Sequence, residues 1–540
     1  MEKQYLVTAS EMRELDQQTI QNFGIPGMVL MENAGRTAID YFCHIYSDIL
    51  DKRIGVLCGS GNNGGDGFVM ARYLLSAGID TIIYLCTSEK KLKGDAKINY
   101  DRLVAMNAPV IEIIDDLTFH KNLINLETRN IWIDALLGTG LRSDVRGVYQ
   151  SIIKWLNRTY QSVFSVDIPS GLNADTGYPC GICVNAEATI TFGHVKIGLV
   201  MPTGSKYCGE LAVADIGIPE TISVEFNLNH YLLDFGNVSD RLLYRAPEAH
   251  KGTTGHVLVV GGSTGKTGAC AMTAQSAMRI GCGLVTLGIA QSLNAILETQ
   301  LMEVMTLPLP EEKPGILGPS ALDLLMKAST GKKCMAIGPG IGRDPKTVEL
   351  VLYLIQESTV PMVIDADALN AISDHLEVLQ KAKSPIILTP HPGEMSRLTD
   401  LSVKEIQSDR VGISRKFATD HNVYLVLKGE KTIVAHPDGM LAINPTGNSG
   451  MATGGMGDVL TGIIAGVIAQ GVEPGQAVET SVFLHGLAGD LMAKHFGYIG
   501  FMATDIMEFL PKVLKECWDM YYEQKENNCI SSQFCEKISP

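Results

Sequence analysis

Residues 53–86, RIGVLCGSGNNGGDGFVMARYLLSAGIDTIIYLC, constrain the architecture more than any other stretch of the chain. RIGVLCG reads as a buried strand, GSGNNGGDG as a tight loop, DGFVMARYLLSAG as a helix ending at Gly78, and TIIYLC as the next strand. A strand, a helix and a second strand in this order make a β-α-β unit, whose two strands run parallel in one sheet. Two further strand-like runs, NIWIDALLG and SVFSVDIP, end in polar or glycine-rich turns, the place where open parallel sheets collect ligand-binding groups. Ahead of them, Thr8 and Glu11 form a capping box for a first helix, and GMVLMENAGRTAIDYF carries a second helical apolar stripe.

Between Thr221 and Leu243 this rhythm lapses, and a second series then begins: HVLVVGG, LVTLGI, CMAIGPG, PMVIDAD, PIILTPHPGE, VYLVLKG and TIVAHPDG, interleaved with helical stretches such as ACAMTAQSAMRIG. With 540 residues the chain exceeds one ordinary core. Two α/β domains are expected, at 1–220 and 241–515, with a linker or domain edge at 221–240 and a polar, loosely ordered tail at 516–540.

The net charge of -15 argues against a general nucleic-acid or membrane-surface protein, while leaving room for a local basic pocket that takes a small anion. The first residues, MEKQYLVTASEMRELD, hold no apolar leader-like run, and no stretch of about 18 apolar residues occurs. A cytoplasmic homo-oligomer is expected. The twelve cysteines are scattered, which suits reduced thiols. Cys180 and Cys183 have C-x-x-C spacing, but no second ligand pair and no following helix supports a zinc or redox site.

Gly59 to Gly64 satisfies G-x-G-x-x-G, a dinucleotide fingerprint whose meaning depends on context. A dehydrogenase would place Asp or Glu at the end of the second strand, where Thr87 and Ser88 stand, with Glu89 late. The loop instead offers Asn62, Asn63 and Asp66 at a helix start already suited to an anion. Together with DALLGTGLRSDVRG, VDIPSGLNADTG and TFGHVKIGLVMPTG, GNNGGDG resembles the NAD(P)HX epimerase family across residues 5–220. The resemblance implies a Rossmann-like three-layer domain acting on NADH or NADPH hydrated at carbon 6 of the nicotinamide ring. It implies that Asn62, Asn63, Gly64, Gly65 and Asp66, then Gly138, Thr139, Gly140, Leu141, Arg142, Ser143 and Asp144, and also Asp167, contact this hydrate. It further implies a potassium ion held by Asn63, Asp134 and Ser170. Asp167 or Asp144 is expected to move the proton that interconverts the R and S forms.

In the second half, GGSTGKTGA lacks Walker A spacing, because only three residues separate Gly261 from Gly265. The better phosphate site is NSGMATGGMGDVLTGIIAG, where Gly454, Gly455 and Gly457 precede an apolar helix and Asp458 stands ready to take a proton from an attacking hydroxyl. In order, GHVLVVGGSTGKTGA, IGPGIGRD, VIDADALN, LTPHPGEMSRL, VLKGEKT and GMATGGMGDVL resemble the ribokinase-like, ADP-dependent NAD(P)HX dehydratase family over 245–505. By that resemblance Ala269, Gly340, His391 and Asp458 line the hydrate site, and Lys428, Gly429, Glu430, Lys431, Thr432 and Gly457 hold the nucleotide. Mg²⁺ and ADP are the implied cofactor and phosphoryl donor; the role of Lys266 stays open. A ribokinase-like vitamin-precursor kinase fused to a nucleotide-binding regulator is an alternative, as is a non-enzymatic RNA-processing scaffold.

Overall fold

The computed structural model describes residues 3–219, 221, 222, 226, 228–239, 241 and 245–531, with side chains as far as Tyr522. The chain folds as two compact units, one over Tyr5–Leu228 and one from Asn229 onward that also takes in the residues before Tyr5.

In the first unit seven strands pair in parallel in the order Val110–Glu112, Thr81–Leu85, Ile54–Cys58, Ile131–Ala135, Ser162–Val166, Ala188–Phe192, Glu210–Ala214. Side chains on a strand alternate between its faces, and both faces of this sheet are covered. Val56, Cys58, Ile133 and Ala135 pack with Phe42, Phe68 and Tyr100 of helices on one side. Leu57, Tyr84 and Trp132 pack with Phe119, Ile152 and Ile153 of helices on the other. That two-sided burial is why the strands read as unbroken apolar runs. The result is the expected three-layer, doubly wound arrangement. Its connections reverse direction between Ile54–Cys58 and Ile131–Ala135, the point at which such sheets open a crevice.

The second unit repeats the same winding. Its parallel strands lie in the order Met305–Leu309, Leu284–Ala290, His256–Val260, Cys334–Ile337, Met362–Ile364, Ile386–Leu388, Tyr424–Leu427. Ile433–Ala435 and Leu441–Ile443 then continue antiparallel, and His230–Leu232 pairs parallel with Leu441–Ile443. The helices Thr267–Arg279 and Met456–Ala469 meet at glycine: a Cβ on Gly462 would stand 2.1 Å from the Thr273 carbonyl oxygen, and one on Gly466 2.9 Å from that of Ala277.

Three expectations are corrected. The GSGNNGGDG loop is shorter than its composition suggests, since the helix already begins at Asn62 and runs to Ser76. Part of the expected linker is structured, because His230–Leu232 finds a partner strand; its residues 223–225, 227 and 240 lie outside the described residues. The expected loose tail is helical as far as Ser531, continuing the helix that starts at Ala503, and 532–540 lie outside the described residues.

Gly59 is where the two loops of the first crevice touch. Its N–H donates to the Ala135 carbonyl at 3.0 Å, and a Cβ there would stand 1.9 Å from the Leu136 carbonyl oxygen. Gly59→Ala must push these main chains apart. It is expected to cost about 1–3 kcal/mol, seen as a lower urea midpoint when unfolding is followed by the fluorescence of Trp132 and Trp155; an unchanged midpoint would refute this account.

Candidate active sites

The crevice of the first unit is a cavity of about 540 Å³. Of the first motif, Asn62, Asn63 and Asp66 line it. Gly64 and Gly65 do not: a Cβ on Gly64 would stand 2.1 Å from the Gly59 carbonyl oxygen, and one on Gly65 2.6 Å from Met31, so these glycines serve close packing. From the second motif Gly138, Thr139, Gly140 and Leu141 line the cavity, whereas Arg142, Ser143 and Asp144 are exposed and stand outside the lining. Asp144 lies instead beside Gly181.

Asp167 does face the cavity. It follows the strand Ser162–Val166 with φ of 64°, a left-handed conformation that costs about 1–3 kcal/mol in a residue other than glycine. Its N–H donates to the Ile190 carbonyl at 2.7 Å, and its Oδ1 accepts from Lys196 Nζ at 2.6 Å. The Lys196 ammonium, 1% exposed, spends its other two protons on Thr191 Oγ1 and the Phe192 carbonyl, both at 2.9 Å. Lys196 and Asp16, which also lines the cavity, escaped the sequence reading. A signal existed for Asp16: it lies four residues after buried Met12 on a helix whose buried stripe is Met12, Leu15 and Thr19. Burial pushes Asp16 up to about 6 and lifts Asp66 well above the usual carboxylate range.

Asn63, Asp134 and Ser170 converge around Leu137. Its carbonyl accepts from Asn63 Nδ2 at 3.1 Å and from Ser170 Oγ at 3.2 Å, and Ser170 Oγ also accepts from the Leu137 N–H at 2.8 Å. Asp134 is fully buried and accepts from the Ser170 N–H at 2.8 Å and from Ser165 Oγ at 2.9 Å. Burial raises its carboxyl group, and hydrogen bonds from Ser170, Ser165 and Leu136 oppose this. Asn63 Oδ1 is buried without a partner.

In the second unit the equivalent crevice lies after His256–Val260 and Cys334–Ile337. A Cβ on Gly340 would stand 2.5 Å from the Lys266 carbonyl oxygen and 3.3 Å from Ala269 Cβ, which brings Ala269 and Gly340 together. Lys266 pairs with Asp367 at 2.9 Å, and Arg343 joins them at 3.2 Å. Deeper, Lys428 Nζ donates to Asp365 Oδ1 at 2.8 Å and lies 3.8 Å from Glu394. Burial works to raise Asp365, yet Lys428 and the hydroxyls of Thr461 and Thr389 outweigh it and hold the carboxyl below its usual range. Asp458 lies within the field of this cluster, in the first turn of Met456–Ala469, which starts from Gly455 at φ of 92°. Burial, with Asp365 adding to it and Lys428 opposing, pushes Asp458 up to about 7.

His391 caps the helix Pro392–Thr399: its Nδ1 accepts from the N–H groups of Gly393 and Glu394 at 3.0 and 3.2 Å. Burial and the nearby Lys428 hold it below the usual histidine range. A neutral ring with Nδ1 accepting carries its proton on Nε2.

Beside this crevice a second cavity, of about 600 Å³, shares Lys428 and Gly457 with it and is lined also by Gly429, Glu430 and Thr432. Lys431 is outside the lining; with φ of 54° it turns its Nζ to the Pro445 carbonyl at 3.2 Å. Buried Arg410 shapes the 428–432 turn by donating to the carbonyls of Leu427 and Glu430. Opposite, Asp490 accepts from the Gly447 N–H and from Asn448 Nδ2, both at 2.9 Å. Arg410 and Asp490 were not singled out in the sequence, since each acts through a loop distant in the chain; Asn448 opens the NSGMATGGMGD stretch without a role of its own there.

The YjeF-related protein N-terminus family matches residues 27–198, and the NAD(P)H-hydrate dehydratase family matches 257–512. The chain is 42% identical to the bifunctional NAD(P)H-hydrate repair enzyme Nnr of Moorella thermoacetica, over 95% of this chain and 97% of that one. It is 33% identical to the protein of the same name from Escherichia coli, over 96% of each. Among solved structures, an ADP/ATP-dependent NAD(P)H-hydrate dehydratase from Bacillus subtilis, co-crystallised with ATP/Mg²⁺, is 30% identical and covers 53% of this chain and 98% of its own, with a TM-score of 0.46.

The pair Lys428–Asp365 carries a prediction independent of any reaction. Lys428→Met leaves Asp365 as an unpaired buried charge and is expected to destabilise the unit by about 3–5 kcal/mol. Lys428→Met combined with Asp365→Leu is expected to recover most of that loss in urea unfolding; a double variant no more stable than the single one would count against the pairing.

Proposed function

The chain belongs to the family of bifunctional NAD(P)H-hydrate repair enzymes, and from that premise we propose that the first crevice interconverts the R and S hydrates and the second dehydrates the S form at the expense of ADP. The observation that carries the second assignment is the sharing of Lys428 and Gly457 between the Asp458 crevice and the adjoining cavity. A nucleotide there meets, at its phosphate end, the amide-rich start of Met456–Ala469 and the carboxylate of Asp458.

Asp458 takes the proton of the hydrate's hydroxyl while that oxygen attacks the terminal phosphorus of ADP, and AMP departs. The phosphate ester is a good leaving group. The ring nitrogen's lone pair expels it, and loss of a proton from carbon 5 restores the ring double bond, releasing NAD(P)H and phosphate. Ala269 and Gly340, which meet at this crevice, contact the hydrate, and His391 presents Nε2–H to it. Mg²⁺, when bound, would neutralise charge on the phosphates. Glu394, buried and with its carboxyl group raised, is the carboxylate that would hold it.

Beside the first crevice, whose lining includes Asn63 but not the buried Asp134 and Ser170, these three residues fit a potassium ion. Asn63 Oδ1 is the buried acceptor lacking a donor, and Asp134 has no cationic side chain among the described influences on it. A hard monovalent cation satisfies both with oxygen ligands. Its effect on stability is a direct test: potassium chloride should raise the melting temperature of the wild-type chain above that in choline chloride of equal ionic strength, and Asn63→Ala should abolish the difference. Equal potassium responses in the two proteins would remove these residues from the site.

The activity test is incubation with chemically hydrated NADH and ADP or ATP, following recovery of the reduced-nicotinamide absorbance. Both hydrates should be recovered by the intact chain, whereas a stable phosphorylated product would favour a vitamin-precursor kinase. Asp458→Asn should abolish dehydration and leave R/S interconversion intact. Asp458 works as a base only when deprotonated, so dehydration should decline as pH falls through about 7. Normal dehydration by Asp458→Asn would sink the base assignment.

A further inference from the structure

The first unit's cavity contains a carboxyl group supplied from outside the matched family region, which begins at residue 27. Asp16 comes from the helix Ala9–Asn22, and this helix is firmly placed. Thr8 and Glu11 close its capping box, the Ala9 N–H donates to Asp175 Oδ1 at 2.6 Å, and Leu6 and Val7 pair in parallel with Val195 and Lys196. The segment that leads into the helix is thus hydrogen-bonded alongside the strand carrying the lysine that holds Asp167.

Asp16 Oδ1 is buried without a hydrogen-bond partner. The cavity brings several charged groups around it: Asp66 from the helix Asn62–Ser76, Asp95 from Gly94–Ala105, Asp167, Lys196, and Arg13 from its own helix. The ammonium of Lys196 has no proton left for Asp16, since Asp167, Thr191 and Phe192 take all three. Of the four carboxyl groups that line this cavity, Asp16 and Asp167 stand in unlike surroundings. Asp167 is ion-paired, while burial, reinforced by Asp167 and opposed by Lys196, keeps Asp16 able to hold a proton near neutral pH, at about 6. Environments that separate two carboxyl groups in this way divide acid from base.

We propose that Asp16 is a catalytic acid of R/S interconversion and Asp167 its complementary base. The proposal rests on the epimerase reading of this crevice. In the forward direction the Asp16 carboxyl proton passes to the hydroxyl on carbon 6. The carbon–oxygen bond breaks, the ring nitrogen's lone pair forms a nitrogen–carbon double bond, and water is released. Water then adds to the other face: its oxygen bonds carbon 6, the double-bond electrons return to nitrogen, and its extra proton goes to Asp167. The net change is one inverted centre and one proton moved from Asp16 to Asp167, which exchange with water resets. The reverse reaction exchanges their roles.

The test uses the full chain, separated R and S hydrates, and chromatographic measurement of their interconversion. Asp16→Asn is expected to slow interconversion about 100-fold or more, with dehydration of pure S hydrate unchanged. The wild-type rate should decline as pH rises above about 6, where Asp16 loses its proton, and that limb should vanish in Asp16→Asn. Asp16→Glu, which keeps the acid, should recover a substantial part of the rate, separating loss of the acid from damage to the helix. Interconversion by Asp16→Asn within threefold of wild type, an unchanged pH limb, or an Asp16→Glu variant as slow as Asp16→Asn would overturn the proposal. A wild-type chain that dehydrates S hydrate but never interconverts R and S would overturn the epimerase reading itself, and the role of Asp16 with it.

Discussion

In a doubly wound sheet the ligand-binding loops follow the carboxyl ends of the parallel strands, and at one place two neighbouring loops leave toward opposite faces, so that no helix covers the gap between them. The chemistry of both units depends on this gap. In the first unit the loops after Ile54–Cys58 and Ile131–Ala135 meet through Gly59, whose N–H bonds the Ala135 carbonyl. In the second the loops after His256–Val260 and Cys334–Ile337 meet in a comparable way: the Gly262 N–H bonds the Pro339 carbonyl at 2.9 Å, and a Cβ on Gly261 would stand 2.5 Å from that same oxygen. Main-chain contact at the base of each gap leaves the space above it free for a ligand.

Into these gaps the chain places carboxyl groups whose surroundings differ, and the difference assigns their work. Asp365 is buried but ion-paired and hydrogen-bonded, which keeps it charged and makes it an anchor for Lys428. Asp458, in the same field but without such a partner, is held near neutrality and can give and take a proton. Asp134 is wholly buried and spends its oxygens on Ser165, Ser170 and Leu136, which suits it to hold loops. Residue type alone does not separate these three roles; the number and charge of the donors around each carboxyl group does.

The winding of both sheets was legible because doubly covered parallel strands must be apolar on both faces, as Leu57 beside Val56 and Cys58 shows. Glycines carrying close contacts were legible as a group but not individually. Gly64 and Gly65 sit in a ligand-binding motif yet serve packing against Gly59 and Met31. Asp144 and Asp167 looked equivalent in sequence. The fold separates them, because Asp167 sits at a strand end on a constrained turn while Asp144 lies on an exposed loop. Asp16 and Lys196 went unread for a different reason: a single polar residue on an apolar stripe or in a short strand has no local pattern, and its meaning depends on partners far away in the chain.

A chain of net charge -15 that receives polyanionic dinucleotides cannot rely on its overall field to gather them. Its charged groups near the ligand sites are largely neutralised in place: Lys196 by Asp167, Lys428 by Asp365 and Glu394, and Lys266 and Arg343 by Asp367. Short-range dipoles, the N–H groups at the starts of Asn62–Ser76 and Met456–Ala469, add attraction for phosphate that acts over about one helical turn. Such dipoles select by fit, since an anion gains from them only when it reaches the helix end.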